Sequence, residues 1–223
     1  MSAYREKSTT VSKKTFGLWH AYLTLSARLV MRLKFLGRAK EMFADIATQF
    51  PQDAAAHTSI GHIEGLQGNK HRARAAFHKA LEIDPNEAVA HFNLGFICEQ
   101  QNDLPEAARH FEKSVELNPK IDRAWYGLGI VLVKLHREPE AKTAFQKVVE
   151  IDPMNRYGWY QLGMVHYALG ETREMEGLIR HTCAFDPKIA KQLEEDTKKL
   201  KKQLAEEAEG KAISGASVPV LQS

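Results

Sequence analysis

Prolines recur along this chain at a constant spacing, and that spacing restricts the possible folds more than any other feature. Consecutive members of the set lie 34 residues apart, with no insertion or deletion: Pro51, Pro85, Pro119, Pro153 and Pro187. Chance does not plausibly keep such a register. A fixed period of this length indicates tandem copies of one small structural unit that stack on each other.

Other columns of residues keep the same period and differ in size. Small residues occupy two columns: Ala27, Gly61, Gly95, Gly129 and Gly163, and Ala39, Ala73, Ala107 and Ala141. Bulky residues occupy two more: Phe43, Phe77, Phe111, Phe145 and Ile179, and Ile60, Leu94, Leu128 and Leu162. Two helices cross closely only where one offers a small residue to a large side chain of the other. The columns therefore predict paired helices.

One stretch, residues 122–155, holds the pattern most completely: Trp125, Leu128, Gly129, Ala141, Phe145 and Pro153. In this pattern the chain resembles the tetratricopeptide-repeat family. The resemblance implies an all-α fold, a right-handed α-solenoid of helix-turn-helix repeats. Five such repeats are expected within residues 16–189, at 20–53, 54–87, 88–121, 122–155 and 156–189. Leu23, Ser26 and Met175 depart from the pattern in the terminal repeats, where one side lacks a neighbour.

Turn residues agree with the period. Gly68, Asn102 and Gly170 fall where the first helix of a repeat must end, a place that favours a left-handed backbone. Pro105 and Pro139 fall in the first turn of second helices, where a missing N–H is tolerated.

The segments outside the repeats differ from them in composition. An apolar stripe at helical spacing follows the last proline and predicts a capping helix over residues 190–209; its members are Ile189, Leu193, Leu200 and Leu204. Residues 210–223 are small and polar without a period, so we expect a disordered tail. Residues 1–15 are expected to form a flexible N-terminal segment.

Charge and cysteine content restrict the classes of partner and compartment. Lys and Arg number 31 against 28 Asp and Glu, a net charge of +3, so we expect no nucleic-acid partner. Cys98 and Cys183 are too few for a disulfide framework and are expected to be buried, which favours a reducing, cytoplasmic location. No apolar run suits a transmembrane segment. Residues 16–27 are interpreted as part of the first repeat and not as a signal peptide.

The first helix of each repeat faces the concave side of such a solenoid, so its residues that packing does not require report on the ligand. Exposed aromatic residues usually mark binding sites. The sequence therefore predicts a non-catalytic adaptor or scaffold that binds a protein or peptide through apolar or aromatic anchors. The predicted groove residues are Arg28, His62, Phe92, Asn93, Phe96, Arg123, Tyr126, Ile130, Tyr157, Tyr160, Met164 and Tyr167.

Patterns of catalysis and metal binding are missing from the sequence. It contains no HExxH motif, no CxxC pair and no phosphate-binding glycine loop, so we expect no enzyme, no cofactor and no metal site. His57 and His91 occupy the column of Trp125 and are interpreted as interface residues.

A carboxylate clamp is the most specific ligand site that the resemblance suggests. Family members that bind the C-terminal carboxylate of chaperones carry Lys, Asn, Asn, Lys and Arg over three repeats. The matching positions here are Thr58, His62, Asn93, Arg123 and Gly127. Only Asn93 is identical, which disfavours a chaperone tail as the ligand.

Several alternatives stay open at this stage. Copies of the chain could self-associate, with residues 13–19 of one copy in the groove of the next. The chain could instead be a regulatory or substrate-recruiting subunit of an enzyme whose catalytic domain is on another chain. The predicted groove aromatics could pack between neighbouring helices, or the tail could cover them through Val218, Val220 and Leu221.

Overall fold

The structure is a computed structural model that describes the backbone of residues 2–213 and the side chains of residues 17–203, 205 and 206. Within these residues it contains eleven helices and no strand, which confirms the predicted all-α class. The helices are α1 (Ser2–Arg32), α2 (Leu36–Gln49), α3 (Ala54–Leu66), α4 (Lys70–Ile83), α5 (Ala88–Gln100), α6 (Leu104–Leu117), α7 (Asp122–Lys134), α8 (Glu138–Ile151), α9 (Arg156–Ala168), α10 (Thr172–Cys183) and α11 (Pro187–Ile213).

The chain divides into two compact units, Met1–Val131 and Leu132–Ser223, with the boundary inside α7. In the first unit the helices pack in pairs, α1 with α2, α3 with α4, and α5 with α6, while α2 also contacts α3 and α4 contacts α5. In the second unit α9 contacts α8, α10 and α11, and α10 contacts α11. The 34-residue period therefore corresponds to a helical hairpin.

A tight turn with a left-handed residue at its centre joins the two helices of each hairpin. The φ angle is +81° at Gly68, +61° at Asn102 and +72° at Gly170, as the sequence predicted. Lys34 and His136 occupy the same column and share this conformation, with φ of 65° and 57°. Each turn is closed by a backbone hydrogen bond that spans five residues, of 2.9 to 3.2 Å across the five turns. This closure belongs to the Schellman type and requires the left-handed residue even where the side chain disfavours it.

Helix crossings in the first unit depend on glycines that face phenylalanine rings. A Cβ on Gly61 would lie 2.7 Å from Cε1 of Phe77, and one on Gly95 would lie 2.9 Å from Cδ1 of Phe111. The ring of Phe111 also fills the space beside Gly127, where a Cβ would lie 2.6 Å from Cζ. These distances leave no room for any larger residue. Phe111 is fully buried by this arrangement.

In the second unit, α11 supplies the large side chain. A Cβ on Gly163 of α9 would overlap the side chain of Leu193. Ile189, Ala190 and Leu193 are buried. The beginning of the α11 stripe, with Ile189 and Leu193, therefore packs against α9 and α10 in the same way that a second helix packs inside a repeat.

Both ends of the chain differ from the sequence-based expectation. Helix α1 begins at Ser2, although residues 1–15 were expected to be flexible; no Pro or Gly interrupts residues 2–16. Helix α11 continues to Ile213, so residues 210–213 of the predicted tail are helical. The groove contact expected of Val218, Val220 and Leu221 falls on residues outside those that the structure describes.

Removing the ring of Phe111 should destabilise the protein strongly. Phe111→Ala is expected to lower the free energy of unfolding by about 3 to 5 kcal/mol, because it leaves a cavity between helices that have no room to close it. Phe96→Ala is the matched control and should cost about 1 kcal/mol or less, since its ring is half exposed. Urea unfolding followed by far-UV circular dichroism measures both. Equal losses would show that Phe96 also belongs to the core.

Glycine should be favoured at the three turns that lack it, which have Lys34, Asn102 or His136 at the left-handed position. His136→Gly is expected to raise the free energy of unfolding by about 1 kcal/mol, because it removes the steric penalty of a left-handed backbone. Gly68→Ala should lower it by about the same amount, since a Cβ there meets no atom within 4 Å and only the backbone conformation is penalised. Thermal unfolding of both variants tests the argument, and a His136→Gly variant no more stable than the wild type would contradict it.

Candidate functional site

Two neighbouring clefts open along the first helices of the repeats in the unit Met1–Val131. The α3–α5 cleft has a volume of about 390 Å³ and the α5–α7 cleft about 440 Å³. Phe92, Phe96 and Arg123 line both clefts. The α3–α5 cleft adds His62, Asn93, Leu66, Lys70 and Gln100, and the α5–α7 cleft adds Tyr126, Ile130, Gly127 and Glu99.

Phe96 is the most exposed of the phenylalanine and tyrosine residues that line these clefts, with 49% of its surface exposed. It stays outside the core because Leu94, Gly95, Ile97 and Cys98 on the same helix are buried. Phe92 is half-buried, and its ring centroid lies 6.1 Å from that of the core residue Phe111. The core therefore supports the ring of Phe92 and leaves the ring of Phe96 exposed in the clefts.

Arg123 contributes a positive charge to both clefts. It lies in the first turn of α7, is exposed, and forms no ion pair with any residue that the structure describes. A guanidinium in this state can bind a carboxylate through two parallel hydrogen bonds.

The positions of the carboxylate clamp are only partly available to a ligand. Thr58 is buried and its hydroxyl donates to the carbonyl of Ala54 at 3.2 Å. The side-chain amide of Asn93 donates to the carbonyl of Val89 at 2.7 Å. Both groups are thus engaged with their own helix, and the arrangement differs from that clamp.

In the unit Leu132–Ser223, α11 lies against part of the surface that the sequence assigned to a ligand. The hydroxyl of Tyr160 donates to the Asp196 carboxylate of α11 at 2.8 Å. Burial and this hydrogen bond raise the pKa of Tyr160 to about 12. Tyr167 lines a cleft of about 710 Å³ together with residues of α10 and α11. Tyr157 is exposed and Met164 half-buried. A ligand-binding role for these four residues stays a prediction.

The residues that line the clefts differ from the predicted groove residues at Arg28, Leu66 and Gln100. Arg28 is exposed on α1 and lines neither of the clefts in its unit. Leu66 and Gln100 line the α3–α5 cleft but were not predicted. They are 34 residues apart, so the period itself could have identified them.

In α5, His91 makes the hydrogen bond that tryptophan makes in the two following repeats. The indole N–H of Trp125 donates to the carbonyl of Pro119 at 2.9 Å, and a repeat later Trp159 makes the equivalent bond. In the same column, Nε2 of His91 lies 3.1 Å from the carbonyl of Pro85. His91 is buried, as expected of an interface residue.

A second buried histidine completes this contact. Nδ1 of His110 on α6 lies 3.0 Å from Nδ1 of His91, and its Nε2 lies 3.3 Å from the guanidinium of Arg109. Because the Pro85 carbonyl only accepts, His91 carries its proton on Nε2 and accepts at Nδ1 from His110, which in turn accepts from Arg109. Glu106, 3.3 Å from His110, is already held by two hydrogen bonds from Arg109.

This arrangement requires both imidazoles to be neutral. Burial lowers the pKa of His91, and burial together with the charge of Arg109 lowers the pKa of His110 to about 4. Among the residues with described side chains, no three His, Cys, Asp or Glu are placed to hold a metal ion. The pair acts as a packing element between α5 and α6.

The two cysteines differ in their surroundings. Cys98 is buried, and burial raises the pKa of its thiol. Cys183 is exposed, which corrects the expectation that both would be buried. It lies on the outward side of α10, next to Thr182, which is buried.

Family comparisons identify a repeat in the central part of the chain. Two family models, both described as tetratricopeptide repeat, match residues 52–120 and residues 99–162. These ranges span the second, third and fourth predicted repeats and the start of the fifth. No curated protein matches the sequence.

Solved structures share the fold at low sequence identity. YrrB, described as a TPR protein with an unusual peptide-binding site, is 22% identical over 78% of this chain and 90% of its own, with a TM-score of 0.62. PilF of Pseudomonas aeruginosa is 19% identical over 86% of this chain and 96% of its own, with a TM-score of 0.63. MamA of Desulfovibrio magneticus RS-1 is 20% identical over 79% of this chain and 96% of its own, with a TM-score of 0.59. At these identities the likeness shows the fold alone.

The buried histidine pair should make the protein less stable in acid. The pKa of an unfolded imidazole is about 6.5, above the folded values, so the unfolded chain takes up protons first as the pH falls. The stabilisation is complete above about pH 6.5 and should decrease by about 2 kcal/mol toward pH 4.5. Urea unfolding at a series of pH values measures this slope.

A double variant tests the assignment of that slope to the pair. His91→Trp with His110→Ala gives these positions the residues of the following repeat, Trp125 and Ala144, and should flatten the slope. His78→Ala removes an exposed histidine and serves as the control. A slope that survives in the double variant would assign the acid sensitivity to other groups.

Proposed function

Because the chain belongs to the tetratricopeptide-repeat family, we propose that it is a non-catalytic interaction module that binds a polypeptide segment in the α3–α5 and α5–α7 clefts. The observation that carries this proposal is that Phe92, Phe96 and Arg123 line both clefts, so apolar surface and an unpaired cation meet at one place. A peptide-binding site is described for YrrB, a protein of similar fold, which supports the class of ligand.

The shape of the site favours a segment with two apolar or aromatic anchors. The two cleft volumes of about 390 and 440 Å³ each suit one large side chain. A ligand side chain on either side of Phe96 would cover its exposed ring. Large apolar side chains in desolvated pockets contribute most of the affinity of such interfaces.

The charges around the clefts favour an acidic residue near one anchor. His62, Lys70 and Arg123 line the α3–α5 cleft together with no Asp or Glu. Glu99 lines the α5–α7 cleft and would repel a carboxylate there. The segment should therefore place its carboxylate toward α3, which gives it a preferred direction.

Such a module acts as an adaptor or scaffold, because it joins the protein that carries the bound segment to the partners of the rest of the chain. A reducing, cytoplasmic compartment stays a prediction, which the two free cysteines support.

Selection from a displayed peptide library on the full chain tests the ligand class. Enriched peptides should share two apolar residues and a nearby carboxylate. In fluorescence anisotropy, Phe96→Ser and Arg123→Gln should each weaken binding of such a peptide by about tenfold or more, because each removes a central contact.

Two matched variants serve as controls for these substitutions. Tyr22→Ser removes an exposed aromatic residue, and Lys120→Gln an exposed cation, away from the clefts, and both should bind as the wild type does. All four should keep the far-UV spectrum. Wild-type affinity in Phe96→Ser, or an enriched set without apolar anchors, would contradict the proposed site.

A further inference from the structure

The outer side of α1 carries a row of exposed apolar side chains. Leu18, Tyr22, Leu25 and Leu29 follow at intervals of four, three and four residues, which places them on one side of a helix. Tyr22 is 61% and Leu25 70% exposed. Trp19 stacks on Tyr22, with ring centroids 5.9 Å apart. These five residues are called the α1 stripe.

The α1 stripe takes no part in the core. The opposite side of the helix packs on α2 through Leu23, Ala27, Val30 and Met31, and Ala27 is completely buried. Helix α1 therefore has two apolar sides, of which folding uses one. Contiguous exposed apolar surface of this kind marks a site of contact with another protein or with a membrane.

The segment that carries the stripe is strongly basic. Residues 1–35 contain one acidic residue, Glu6, and seven basic residues: Arg5, Lys7, Lys13, Lys14, Arg28, Arg32 and Lys34. Subtracting these from the totals of 31 and 28 leaves 24 basic and 27 acidic residues in the remaining sequence. The positive charge of the protein is thus concentrated where the apolar stripe lies. Arg28, Arg32 and Lys34 are exposed and form no ion pair with any described residue.

We propose that α1 lies along the surface of an anionic lipid bilayer, with the α1 stripe among the upper acyl chains and its cations at the phosphate headgroups. An apolar helical face that is bordered by Lys and Arg and contains Trp and Tyr is the combination that binds such an interface. None of the helices in the described part of the chain is long and apolar enough to cross a membrane.

Charge favours a lipid surface over a second copy of this chain as the occupant. Two α1 helices that pair, in either direction, bring two strongly positive segments together, which opposes association. An anionic bilayer supplies the opposite charge along the whole helix. Burial of the α1 stripe and electrostatic attraction therefore both favour binding when the partner is an anionic membrane, whereas in a dimer of α1 helices the charges oppose binding.

Flotation with vesicles tests this proposal on the full chain. Vesicles of phosphatidylglycerol and phosphatidylcholine should carry the protein upward, whereas phosphatidylcholine alone should bind at least about tenfold less. Leu25→Ser with Leu29→Ser should reduce the partition coefficient by about thirtyfold or more, because it removes buried methyl and methylene groups. Arg32→Gln with Lys34→Gln should reduce it by about thirtyfold, about fivefold for each charge.

Each pair of substitutions has a matched control in the other unit. Ile151→Ser with Met154→Ser removes two exposed apolar side chains, and Lys188→Gln with Lys199→Gln removes two exposed cations. Both control pairs should float as the wild type does. If the leucine variant loses helical content, the Arg32 and Lys34 variant and the salt dependence of flotation still decide the question.

Trp19 reports the depth of the helix directly. Lipids brominated on the acyl chains should quench part of the tryptophan fluorescence, and Trp19→Phe should abolish that quenching in the fraction of the protein that floats with the vesicles. Trp125 and Trp159 remain as the unquenched reference.

Three outcomes would overturn the proposal. The first is no flotation, or equal flotation with neutral and anionic vesicles. The second is flotation without quenching of Trp19. The third is a dimer, seen by sedimentation equilibrium without lipid, that Leu25→Ser with Leu29→Ser converts to a monomer; the α1 stripe would then be an interface between copies.

Discussion

The contact between a helical glycine and a phenylalanine ring is the interaction on which the order of the repeats depends. Phe111 occupies the space left by Gly95 in its own repeat and by Gly127 in the next. Neither glycine has room for a Cβ, so one ring holds the register of two successive first helices. An insertion between these glycines would bring a larger side chain against the ring.

This packing also decides which surface is left for a ligand. On α5, four neighbouring residues are buried in the helix contacts, and Phe92 and Phe96 remain toward the clefts. The framework repeats, whereas the residues around the clefts do not, so specificity lies in the positions that the period leaves variable. In the other unit α11 contacts one such position, Tyr160, whose hydroxyl donates to the Asp196 carboxylate.

The clefts and the α1 stripe belong to one unit but differ in chemistry. The clefts combine aromatic rings with two cations, Lys70 and Arg123, which suits a short segment with a carboxylate. The α1 stripe combines a long apolar row with many cations, which suits an extended anionic surface. A polypeptide bound in the clefts would thus be brought to the membrane on which α1 lies.

The sequence alone determined the helical hairpin, its length and the small and large columns, because each of these recurs and every copy supports the others. It also predicted seven of the eighteen residues that line the two clefts, from their place on the first helices of the repeats. Tertiary structure decided the features that do not recur from repeat to repeat. These are the contact of His91 with His110, the contact of Asp196 with Tyr160, the exposure of Cys183 and the second apolar side of α1. A period shows which residues are equivalent. Burial and hydrogen bonding depend on which neighbours they meet, and neighbours change at the ends of a stack.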